Sequence, residues 1–167
     1  MAATGEQALL DDTSVALVES THAAKVVAVP GPALRATLVH AYACRVGPDR
    51  QRVTVTLDRS QAAPVLVALG TSRRIALVAC HIGSLQSLQL KGDDARFVDV
   101  TDADRRSAAA LGEEFARFGA TLGYGEAMMR AHMACRPGEV MALEFTVRQA
   151  FIQTPGPSAG QPLAGRP

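Results

Sequence analysis

The sequence predicts a mainly β domain with peripheral helices, an α+β chain whose strands run mostly antiparallel. Three observations lead there. Short β-branched runs, "KVVAV", "RVTVTL" and "RIALVAC", recur between Pro- and Gly-bearing turns. The stretch "RVTVTL" alternates apolar and polar positions with the period of a strand. The order of elements reads helix, several strands, helix, strands, helix, strand and tail, which fits a small barrel with helices around it.

With 167 residues, one domain spanning 1–167 is expected. Residues 1–24 form its N-terminal helix region, and 155–167 a Pro/Gly-rich tail. Hydrophobic residues make up 48%, enough for a core. A net charge of +1 gives no basic field for nucleic acid or a membrane surface. Aromatic residues are 4% and Trp is absent, which argues against a base-stacking surface. No apolar run reaches the roughly 20 residues of a membrane span, and "MAATGEQALLDD" does not read as a secretory signal. Three widely spaced cysteines, Cys44, Cys80 and Cys135, fit reduced thiols in the cytoplasm better than a disulfide framework.

Taken in order, "DDTSVALVESTHAAK" reads as a helix with Asp11, Asp12, Thr13 and Ser14 as capping candidates. Strands follow, broken at Pro30–Gly31–Pro32 and again at Gly47–Pro48–Asp49, a hairpin. In the strand after it, Val53, Val55 and Leu57 share one face, and Arg52, Thr54, Thr56 and Asp58 the other. "DRSQAAPVLVALGTSR" reads as a helix capped by Ser60, with Pro64 near its first turn. "RIALVAC" is continuously apolar, hence a strand buried on both faces. "SLQSLQLKG" is the next strand; Asp93 and Asp94 then turn the chain into "ARFVDV". The clearest helix is "TDADRRSAAALGEEFARFGATLGY", capped at Thr101 or Asp102, with Ala108, Leu111, Phe115, Phe118 and Leu122 on one face. Its charges, Asp104 among them, read as a solvated face. "GEAMMRAHMACRPGE" gives a short helix plus loop, and "VMALEFTVRQAFIQT" one final strand.

The pair Cys80–His81 attracts a catalytic reading, but neighbours in a strand point to opposite faces and cannot share a proton or a metal. Cys80 ends an apolar run and reads as a buried small hydrophobe. His81 reads as a turn histidine or a ligand contact. The four histidines are scattered and there is no C-x-x-C, so no metal site is expected. The stretch "LDRSQ", 57–61, joins a strand to a helix N-terminus, where free N–H groups and the helix dipole favour an anion. Arg59 adds charge, Ser60 and Gln61 add donors, and Arg45 reaches the same neighbourhood through the hairpin. Plain capping is the alternative. Ser87, Gln89 and Lys91 share one strand face, either solvated or bonded to a polar cofactor.

Together, "ACRVGPDRQRVTVTL", "SQAAPVLVAL", "IALVACHIGSLQSLQLKG" and "FIQTPGPSAG" resemble the pyridoxamine 5′-phosphate oxidase-like family of FMN-binding split β-barrels. The resemblance runs from Val26 to the tail. It implies a six-stranded antiparallel split barrel, a homodimer, and FMN at the subunit interface. By match to the family pattern, the flavin phosphate would fall to Arg45, Thr56, Arg59, Ser60 and Gln61, with Val55 in the paired strand. Ser87, with Gln86 and Gln89 beside it, would meet the ribityl chain or ring. The chain departs from the family at several points. Gln61 and Ala62 replace an Arg–Lys pair, His40 stands where an arginine opens the first binding strand, and the late substrate residues of the true oxidase have no match. The resemblance thus implies a flavin-dependent oxidoreductase of unknown small-molecule substrate, related to that oxidase but distinct from it. No side chain is named as catalytic. The alternative is a non-catalytic dimeric binding protein for a flavin, a deazaflavin or a haem-type ligand.

Overall fold

The structure, a computed structural model, describes residues 10–31 and 35–163. Helix α1 (Asp12–Glu19) starts at Asp11, whose carboxylate accepts from the Ser14 amide at 2.8 Å. The helix is shorter than the sequence implies. From Ala23 the chain is already strand, because β1 (Ala23–Pro30) buries alternate residues in the core. Strands β2 (Ala36–His40), β3 (Ala43–Val46) and β4 (Arg52–Asp58) follow, and the β3–β4 hairpin lies where Gly47–Pro48–Asp49 places it.

Helix α2 (Arg59–Leu69) is capped by Asp58, not by Ser60, which lies inside the first turn. Pro64 sits in the second turn rather than the first. Strands β5 (Ile75–His81), β6 (Ser87–Gly92) and β7 (Arg96–Val98) come next. In β5 one face is fully buried and the other half-buried, so "RIALVAC" is not enclosed on both sides. Helices α3 (Asp102–Thr121) and α4 (Glu126–His132) and a 3₁₀ turn, Pro137–Glu139, lead to β8 (Val140–Thr146) and β9 (Gln149–Ile152).

Among the described residues nine strands form two antiparallel sheets, where the resemblance implies a six-stranded barrel. One runs β2-β1-β5-β6-β9, the other β3-β4-β8-β7. The expected single last strand is two strands in different sheets. The ladder breaks at Val147 and Arg148, whose amides donate to Gln51 and Lys91 and turn the chain a corner. At this corner the sheets close tightly: a Cβ on Gly92 would lie 2.6 Å from both Phe145 Cδ2 and the Thr146 oxygen. Only glycine fits there.

The inner faces of the two sheets meet in one core with α1 and α2. Val27, Leu77 and Leu90 come from the first sheet, Val53, Val55, Leu57, Leu143 and Phe145 from the second. A smaller cluster lies outside this core, where Ala108, Leu111 and Phe115 of α3 and Met129 and Met133 pack on Tyr42, Ala43 and Val140. Phe118 and Leu122, expected on the same face, lie at the far end, in the last turn of α3 and at its C-cap. Leu122 is exposed, and Phe118 stacks on the His22 ring at 4.0 Å. The tail folds back on β9: the Ile152 amide donates to Gln161, and the Leu163 amide to Ala150.

Candidate functional site

The sequence points to the start of α2, and there the structure shows a closed set of bonds. Strand β4 runs directly into the helix, so its last side chain, Asp58, sits at the cap. One Asp58 oxygen accepts from the Ser60 amide at 2.9 Å and from the Ser60 hydroxyl at 2.6 Å. The other accepts from the Arg136 amide at 3.4 Å, with the Arg136 guanidinium 3.9 Å away. That guanidinium also donates to the Ser60 hydroxyl. Asp58 is 2% exposed. Burial alone would raise its pKa. The bonds from Ser60 and the charge of Arg136 outweigh burial and hold the carboxyl below its ordinary value. The partial positive charge of the helix end thus already has an anion, one supplied by the chain.

Gln61 and Arg45 of the clamp are similarly engaged. Gln61 accepts a hydrogen bond from the Tyr42 hydroxyl at 3.1 Å, and Tyr42 is 1% exposed. Arg45 stands opposite Thr54 and reaches across to α3, where its Nε lies 3.3 Å from Asp104. Asp104, expected on a solvated face, is buried. It also closes a capping box with Thr101. Burial opposes its ionisation, but the bonds from Thr101 and Arg45 hold its pKa low. Thr56 is buried between Ala43 and Ala142, and Val55 belongs to the inner core. Arg59 is exposed and lines a shallow groove of about 710 Å³ with Phe97, Val98 and Arg105.

Ser87 and Gln89 lie in the other sheet. The Ser87 amide donates to the Thr154 hydroxyl at 2.9 Å, and its own hydroxyl donates to the Leu85 oxygen at 2.9 Å. Gln89 is half-buried between Val78 and Phe151 on the outer face. The structure therefore brings Arg59, Ser60 and Gln61 together, turns Arg45 of β3 toward Asp104 of α3, and puts Ser87 and Gln89 on a different sheet. Cys80 is half-buried rather than buried. His81 ends its strand as a turn residue whose Nδ1 accepts from the Gly83 and Ser84 amides at 3.2 Å.

Sequence reasoning missed Asp58, Asp104 and Arg136. Asp58 carried a usable signal, because an Asp ahead of a helix is a strong N-cap. Nothing local marked Arg136. Also missed was a pair of rings, His40 and His132, 4.9 Å apart; His40 Nδ1 is buried without a hydrogen-bond partner. Among the described residues no group of three or more His, Cys, Asp or Glu could hold a metal ion, and no helix is long and apolar enough to cross a membrane.

A flavin phosphate at α2 needs open N–H groups and an uncommitted cation beside them. Asp58 takes the Ser60 amide, and Arg45, Ser60 and Gln61 are bonded within the chain. Of the clamp the resemblance implies, Arg59 alone is an exposed cation without a partner among the described residues.

No protein-family model and no curated protein matches the chain. Solved structures do. HupZ from Group A Streptococcus matches at 11% identity with a TM-score of 0.54, over 90% of this chain and 99% of that one. A protein related to general stress protein 26, of the pyridoxinephosphate oxidase family, from Clostridium acetobutylicum matches at 14% identity and TM-score 0.45, over 77% and 78%. A pyridoxamine 5′-phosphate oxidase-related, FMN-binding protein from Nostoc punctiforme matches at 12% identity and TM-score 0.42, over 78% and 72%. At such identities the likeness is one of fold, and this chain shares its fold with HupZ.

Proposed function

We propose that the chain is a non-catalytic binding protein built on this fold, not an FMN-dependent oxidoreductase. One observation carries the reading: the buried Asp58 carboxylate, bonded to Ser60 and Arg136, occupies the helix end that would take the flavin phosphate. A dianionic phosphate brought there would meet a like charge and would have to displace three donors. FMN binding, named for the Nostoc punctiforme neighbour, therefore does not carry over. The binding unit is a cytoplasmic homodimer. The exposed apolar side chains Leu38 (64%) and Val67 (76%), on the neighbouring β2 and α2, support a second copy as the partner.

The test is a flavin titration on the full chain. Expected are a colourless preparation, no FMN released on denaturation, and no quenching of FMN fluorescence at about 10 μM protein, a range where specific cofactor sites saturate. A yellow protein that yields FMN would return the oxidoreductase reading. It would be secured if Arg45→Ala combined with Arg59→Ala weakened binding about tenfold or more, as charge-assisted bonds to phosphate require. A monomer in analytical ultracentrifugation would remove the dimer.

A further inference from the structure

On the first sheet, the strand register builds a different kind of surface. Ala28 pairs with Ala76, Ala76 with Lys91, and Lys91 with Gln149, so one row crosses four strands. Side chains in register point to the same face, here the outer one. Two of the four are alanines, so the row is a depression, and Phe151 stands beside it. The folded-back tail supplies one wall through Pro162 and Leu163. The resulting groove has a volume of about 810 Å³, the size of a small-molecule site.

Its rim is cationic. Lys91, Arg74 and Arg148 face it, against Asp93 alone. Arg148 is neutralised locally, 3.2 Å from Asp93 and 3.7 Å from Asp94. Lys91 and Arg74 have no carboxylate partner among the described residues. The Lys91 ammonium sits 4.7 Å above the Phe151 ring, where the face of the ring attracts a cation. An apolar floor, an aromatic plane and two uncompensated cations select one chemistry: a flat apolar body carrying an anionic group. We propose that this groove binds a small planar organic anion of the aromatic carboxylate class. Its carboxylate pairs with Lys91 and Arg74, and its ring lies over Ala28 and Ala76 against Phe151. The proposal rests on the reading of the chain as a binding protein, but the groove lies on the other sheet from the start of α2 and is tested separately.

The probe is 2-naphthoate, titrated into the full-length, isotope-labelled protein and followed by amide chemical shifts. Shifts are expected at residues 28 and 29, 74–76, 91–93 and 149–151. The neutral 2-naphthalenemethanol should bind roughly tenfold more weakly, and Lys91→Gln with Arg74→Gln should weaken 2-naphthoate by a similar factor. Ala76→Leu, which fills the floor from the half-buried outer face, should abolish binding while the two charges remain; it also carries the test if the double variant does not fold. Shifts that map elsewhere, no binding at all, or equal affinity for the acid and the alcohol would overturn the proposal. The FMN titration leaves it untouched: flavin bound at α2 would remove the binding-protein reading, whereas a failure to bind 2-naphthoate would remove only the groove.

Discussion

The start of α2 and the groove over β1, β5 and β6 treat their cations in opposite ways. At α2, Arg45, Ser60 and Gln61, which the sequence offers to a ligand, each have a partner inside the chain. The partners come from far away: Asp104 lies 59 residues beyond Arg45, and Arg136 lies 78 beyond Asp58. In the groove, Lys91 and Arg74 face an apolar floor with no such partner. A cation or donor at a strand end is thus evidence for an anion site only once its distant partners are known. Two carboxylates, Asp58 and Asp104, decide this case, and both are buried.

The comparison breaks most directly at Asp58. Asp58→Ala removes the cap of α2 and strips Ser60 and Arg136 of their acceptor. We expect a loss of about 2–4 kcal/mol, above the ~1 kcal/mol of a simple cap because a buried network is opened. Urea unfolding measures it; a loss under about 0.5 kcal/mol, the range of surface substitutions, would mean that the helix end is open after all. The pH dependence has a definite sign. A carboxyl held below its ordinary 3.8 in the fold contributes stability above that value and loses it as pH falls through the folded pKa. The gap between wild type and Asp58→Asn should therefore narrow in acid, below about pH 3.8.

Arg45→Ala probes the second closed charge. Asp104 keeps its bonds to Thr101, and the arginine side chain is 45% exposed, so screening discounts the ion pair. A loss of about 1–2 kcal/mol is expected from the half-abandoned buried carboxylate. The difference should shrink in acid for the same reason as at Asp58. Stability unchanged within about 0.3 kcal/mol, the additivity limit of such measurements, would free Arg45 for a ligand and reopen the clamp.

The same contrast shows what the sequence makes legible. Strand and helix positions follow local rules. The alternation at 52–57 places Val53, Val55 and Leu57 in the core, and Asp11 and Thr101 both cap as their residue types require. The fold likeness also lies in the chain order. What stays hidden is which elements meet. The α3 charges look solvated in a helical projection, but Asp104 lies in the first turn, where α3 crosses β3 and Arg45 waits. The last apolar run reads as one strand because no Gly or Pro marks the corner at Val147 and Arg148. That turn is made by bonds to Gln51 and Lys91, which are local to neither. The groove escapes notice because its lining comes from segments far apart in the chain.

Lys25 extends the comparison to a third way of holding a cation, and its effect at neutral pH is the smallest. Its side chain points inward and is 1% exposed. The ammonium donates to the carbonyl oxygens of Ser20 and Ala23. Helix α1 has no basic residue in its last turn, so Lys25 supplies the positive charge that its C-terminal end favours. Burial nevertheless pushes its pKa below 10.5. Between the folded pKa and 10.5 the unfolded chain binds the proton more tightly, so stability rises with pH through that window. Lys25→Met keeps the length of the side chain, removes the charge, and should change stability near pH 7 by less than about 1 kcal/mol, as isosteric replacement of a buried charge often does. The advantage of the variant should then fall, or its deficit grow, as pH approaches 10.5. Taking the difference between the two proteins cancels most of the contribution from Cys44, whose thiol burial pushes up to about 12. A difference that stays flat with pH would show that Lys25 keeps its ordinary affinity for the proton, and with it that an inward-facing cation between these sheets carries no burial penalty.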